Sequence, residues 1–163
     1  MEDVRAAALP AFRMAQPTEA VEQGTWVSTV VWTVLLAIPT ALIITAFTLT
    51  PDPAGHGTHT QLGLPPCGFL VYVGVPCPGC GLTTCFTNMV RFRFVEATQA
   101  NPFGVALFLV TLAGIPVSSM GIVRRLPVMA TLDRLQVEKV AILLAVCSVV
   151  VWAVRVATLV YEL

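Results

Sequence analysis

The sequence predicts an all-α integral membrane protein: three transmembrane helices, plus one interfacial amphipathic helix that follows a Cys-rich re-entrant loop. Three observations carry that prediction. The 163 residues are 56% hydrophobic and 11% charged, with a mean hydropathy of +0.84, where soluble domains are about a quarter charged. Residues 26–49, 102–123 and 140–160 form apolar runs, each long enough as a helix to cross about 30 Å of hydrocarbon. Between the first two runs stands a connection dense in cysteine, proline and glycine.

In chain order, residues 1–25 mix Glu2, Asp3, Arg5, Arg13, Glu19 and Glu22 with small residues and read as a solvated N-terminal tail, with a short surface helix over Ala6 to Met14. The first span, 26–49, opens on Trp26, a residue suited to the headgroup layer, behind Thr25 as a cap. Pro39 inside it kinks a lipid-embedded helix without breaking it. The run is too long for the apolar core of a signal peptide, so we expect it to be retained.

Residues 50–101 form the Cys-rich loop and the interfacial helix. Two prolines and two glycines in Thr50-Pro51-Asp52-Pro53-Ala54-Gly55-His56-Gly57 end the first helix. Phe69 to Val75 is apolar but too short to span, and is expected to lie at the interface or to dip in and return. After Gly81 the apolar residues Leu82, Cys85, Phe86, Met89 and Val90 fall at helical spacing, with Thr83, Thr84, Thr87, Asn88 and Arg91 opposite. Beside spanning helices such a segment reads as a surface helix, and its end alternates Arg91 and Arg93 with Phe92 and Phe94, a mixture suited to headgroups.

The second span, 102–123, starts with Asn101 as cap and Pro102 at the first helical position, where a missing N–H costs nothing. Gly114, Ser118 and Gly121 offer small surfaces for close helix approach, and Arg124 and Arg125 end the span. The third span, 140–160, is interrupted by Arg155, read chiefly as a charge that snorkels to the interface. Arg155, Arg91 and Arg93 are also candidates to bind a lipid phosphate or a partner's carboxylate. Arg5, Arg13, Arg124, Arg125, Arg134 and Lys139 lie on the side of the tail and the second connection, against Arg91 and Arg93 on the other. By the positive-inside rule we expect the N-terminus on the cytoplasmic side and the Cys loop on the extracytoplasmic side of the membrane.

The formal net charge is zero, so no basic field argues for nucleic acid. No Ser/His/Asp constellation, paired intramembrane carboxylates or phosphate-binding glycine loop is visible, which leaves hydrolases, proton pumps and nucleotide enzymes without a signature. The chemistry is in the cysteines. Cys67, Cys77, Cys80 and Cys85 cluster, while Cys147 sits in an apolar run as a small buried hydrophobe.

The spacing of Cys77 and Cys80 supports three chemistries. One is a structural disulfide among Cys67, Cys77 and Cys80, suited to an exported loop. Another is a metal site, zinc first, built from Cys77 and Cys80 with Cys67, Cys85, His56 or His59. The third is thiol redox chemistry, since Cys80 opens a helix whose N-terminal end favours a thiolate.

Cys67, then Pro76-Cys77-Pro78-Gly79-Cys80-Gly81-Leu82-Thr83, an amphipathic helix and the Asn101-Pro102 pair together resemble the small bacterial membrane proteins catalogued as domain of unknown function 2752. Thr84 stands where that family carries an arginine. The resemblance implies a membrane location and no established activity. The function expected from the residues is a non-catalytic accessory or assembly subunit of a membrane complex, in contact with the bilayer and with a membrane partner or a second copy. The alternative is a metal-binding or thiol-redox protein acting through Cys77 and Cys80.

Overall fold

The computed structural model describes residues 17–161; the expected helix over Ala6 to Met14 lies outside them. The described residues form seven α-helices and no strand: α1 (Pro17–Thr48), α2 (Gly68–Val73), α3 (Leu82–Met89), α4 (Phe94–Ala100), α5 (Pro102–Val123), α6 (Val128–Arg134) and α7 (Val137–Tyr161), with one 3-10 turn at Thr58–Leu62. Three are long and apolar enough to cross a membrane, over Trp26–Thr48, Pro102–Val123 and Val137–Leu159. The first helix starts at Pro17 rather than at Trp26, with proline in the first turn, where it breaks no hydrogen bond.

The long helices run up, down and up. α1 and α5 are antiparallel and in close contact: Gly121 near the end of α5 lies against the Trp32 indole near the start of α1, and an added Cβ there would overlap the ring. That indole is buried, and its Nε1 donates to the Leu126 carbonyl at 2.8 Å, tying α1 to the start of the second connection. Such pairing through small residues replaces the hydrophobic drive that lipid cannot supply. α7 leans on α5 and leaves its span uncovered by the rest of the chain.

The core lies at one end of this bundle. Ala46 of α1, Cys85, Phe86, Met89 and Val90 of the α3 region, Ala97 and Ala100 of α4, and Phe108 of α5 form one buried cluster. Phe86 meets Phe108 edge to face at 5.2 Å between ring centroids, an arrangement aromatic quadrupoles favour.

The helical spacing read after Gly81 does produce a helix, α3, but both of its sides are covered. Thr84, Thr87 and Asn88 are buried along with the apolar face. This is possible because their polar atoms find partners close by. Thr84 Oγ1 shares a hydrogen bond with Thr58 Oγ1 at 2.8 Å, Thr87 Oγ1 donates to the Thr84 carbonyl at 2.8 Å, and Asn88 Nδ2 donates to the same carbonyl at 3.0 Å. A threonine face can therefore be buried without unsatisfied groups.

Candidate metal centre

The motif residues are placed by two consecutive turns. The Cys80 amide donates to the Cys77 carbonyl at 2.9 Å, closing a four-residue turn with Pro78 in its second position, where the fixed φ of proline fits. The Leu82 amide then donates to the Gly79 carbonyl at 3.1 Å, and Gly81 adopts φ +88° as the residue before α3. Glycine is required at 81 twice over. The left-handed backbone disfavours a side chain, and a Cβ would collide with the carbonyl oxygens of Ala100 and Gly55.

Asn101 holds the same turns from the other side. Fully buried, it accepts from the Gly104 amide at 3.1 Å through Oδ1, capping α5, and donates through Nδ2 to the Cys80 carbonyl at 3.1 Å and toward the Pro78 carbonyl at 3.4 Å. One side chain therefore starts a spanning helix and anchors the cysteine turn.

The clasp is completed by α7. Trp152 Nε1 donates to the Pro76 carbonyl at 2.8 Å and Arg155 Nη1 to the Cys80 carbonyl at 3.0 Å. Backbone groups on both sides of Cys77 are thus pinned by one helix more than 70 residues away in sequence. Arg155, read from the sequence as a snorkelling charge, ends in this loop.

The result is a convergence of sulfur. The Sγ atoms of Cys67, Cys77 and Cys80 all lie within 4.8 Å of one another, the one group of metal-ligating side chains of that kind among the described residues. They border a cavity of about 220 Å³ that is also lined by His59 and Thr83. His59 Nε2 lies 3.1 Å from the Pro65 carbonyl and outside the sulfur triad. His56 does not line the cavity. Cys85, also considered from the sequence, is fully buried on the other side of α3, against Gly104 of α5. The expected disulfide is corrected by the structure: all five cysteines are free. An S–S bond needs about 2.05 Å between two sulfurs, whereas this loop brings three together around a common point.

The three thiols differ in acidity. The Leu70 backbone amide in the first turn of α2 holds Cys67 below its ordinary value. Burial, then the neighbouring Cys67, pushes Cys77 up. Burial pushes Cys80 up to about 11, with Cys67 and Cys77 adding to the effect. A redox nucleophile at Cys77 or Cys80 would need a shift opposite to the one burial gives each of them. Three thiolates repel one another in this space, and a cation among them removes the conflict.

The spacing suits such a cation. With zinc–sulfur bonds of about 2.3 Å, sulfurs in a tetrahedral site stand about 3.8 Å apart. A contraction of about 1 Å from the observed upper limit reaches that value. Three sulfurs leave one position open, and His59 borders the same cavity.

The other arginines singled out from the sequence are placed elsewhere. Arg91 Nη1 donates to the carbonyls of Ala46 at 3.1 Å and Thr87 at 2.7 Å, and Nη2 to those of Phe47 at 3.0 Å and Leu49 at 2.6 Å. It caps the C-terminal end of α1, favourable for a cation beside unpaired carbonyls. Arg93 lines a separate, open cavity of about 440 Å³ with Asp52, Asn88 and Glu96.

Neither the dual role of Asn101 nor the reach of Trp152 and Arg155 was found from sequence. The only available signals were a polar residue before a proline and a charge inside an apolar run. No curated protein and no solved structure matches the chain. Residues 67–115, under a third of the chain, match the model of a family of proteins of unknown function, DUF2752, in agreement with the resemblance carried by the cysteine motif.

Proposed function

We propose that this protein is a non-catalytic subunit of a bacterial inner-membrane assembly whose extracytoplasmic loop is organised by one thiophilic metal ion, zinc first, held by Cys67, Cys77 and Cys80. The observation that carries the reading is the convergence of those three Sγ atoms within 4.8 Å, beside a histidine and beneath a clasp from α7. Soft thiolate donors favour zinc-class ions over magnesium or calcium. Outside the cytoplasm neighbouring thiols tend to pair oxidatively, and a resident ion keeps three of them together. The uncovered span of α7 supports a helix that meets lipid and partner helices in the membrane.

The test is a metal count on the full chain purified in mild detergent, with zinc supplied during expression. One zinc per chain is expected. Cys67→Ser, Cys77→Ser and Cys80→Ser each lose it, while Cys85→Ser and Cys147→Ser keep it. Binding displaces the thiol protons, so bound zinc should fall steeply on acidification. Absence of stoichiometric metal, together with five titratable thiols in the wild type, would overturn the reading.

A further inference from the structure

The clasp by α7 extends the metal reading, on which it rests. Uptake of an ion M by three thiols gives [M(SR)3] and releases three protons to solvent. The site then carries net −1 with a divalent ion and −2 with a monovalent one. Uncompensated charge at a membrane boundary is costly.

Arg155 stands where such compensation is needed. Its Nη1 lies 3.0 Å from the Cys80 carbonyl, within an otherwise uncharged stretch of α7. A hydrogen bond alone does not call for arginine there, because Trp152 makes the equivalent bond to Pro76 with a neutral donor. A charge in an apolar span is costly and is commonly met by carbonyls, water or an opposite charge, and the Cys80 carbonyl is the partner the guanidinium of Arg155 has among the described residues. Arg91 is committed to the carbonyls of α1, and among the described residues the guanidinium of Arg155 hydrogen-bonds to no carboxylate.

We propose that Arg155 is the charge-balancing positioning residue of the Cys67, Cys77 and Cys80 site. It neutralises the single negative charge left by three thiolates and a divalent ion. Groups outside the ligand shell commonly tune metal affinity in this way.

The experiment uses the full chain in detergent, titrated with Cd2+ as the divalent probe and Cu+ as the monovalent one, each followed by thiolate-to-metal absorption. Arg155→Gln should weaken Cd2+ binding by about 10- to 100-fold. Cu+ bound by the same three sulfurs should weaken by roughly the square of that factor, since twice the charge goes uncompensated. Arg155→Lys should restore most of both affinities. Trp152→Phe, which removes the bond to Pro76 without changing charge, should weaken both ions by one common factor.

Should Arg155→Gln fail to accumulate, Arg155→Met carries the same expectation. An equal loss for both ions in the Arg155 variants, or no loss, would make Arg155 a mechanical brace or less and overturn the proposal. A wild-type chain that takes up neither ion overturns the metal reading instead, and this inference with it.

Discussion

Cys80 and Cys85 lie five positions apart, and their surroundings divide their roles. Cys80 faces the cavity with Cys67 and Cys77. Cys85 lies in the core beneath α3, and burial pushes its thiol from the ordinary 9.0 up to about 12. The sign of the consequence follows from linkage. In the unfolded chain this thiol ionises near 9.0, in the folded chain only near 12. Its contribution to stability is therefore full below about pH 9 and is lost as pH rises through about 12. Unfolding midpoints measured from pH 8 to 11 should fall with pH, and fall less steeply in Cys85→Ala, whose neutral-pH stability is lower because of the cavity left. Sequence spacing could group both cysteines in one candidate set. It could not separate them, because the distinction is which side of α3 each faces and what packs there.

At the scale of elements, the end of α1 is the informative case. Pro51 and Pro53 mark where the helix stops, which is readable from the sequence. What becomes of its last carbonyls is not, because their partner is Arg91, more than 40 residues onward. Four carbonyl contacts on one guanidinium join α1 to α3 at the edge of the core. Arg91→Ala should destabilise the fold by about 2 kcal/mol or more, the scale of charge-assisted hydrogen bonds, read from denaturant or thermal unfolding in detergent. Arg91→Lys should recover only part of this, since a single ammonium cannot span the fork that the guanidinium covers. α3 shows the same limit. Its helical period was legible, but the burial of Thr84 depends on Thr58 of the 3-10 turn, a partner 26 residues earlier in the chain.

For the whole molecule, the up-down-up arrangement places residues 50–101 at one end and the α5–α6 connection at the other. On the orientation we propose from the arginine asymmetry in the sequence, the first end faces outside. Tyr72 is 89% exposed in the cysteine loop. A Tyr72→Cys chain should gain labelling by a membrane-impermeant maleimide in intact cells. Arg124→Cys should gain it only after the membrane is permeabilised. The reverse pattern would place the sulfur cluster in the reducing cytosol, where a bound ion is needed less to keep the thiols apart from oxidation.

The sequence by itself determined the membrane class, the three spans and the identity of the candidate ligands. All of these follow from local composition, periodicity and backbone preference. Only the tertiary structure decided that Cys67 joins Cys77 and Cys80 while Cys85 and His56 do not, that Asn101 and Arg155 hold the loop from two helices, and that Arg91 closes α1. These are contacts between residues distant in the chain, and a pattern of period two or 3.6 carries no information about which distant partner a side chain will meet.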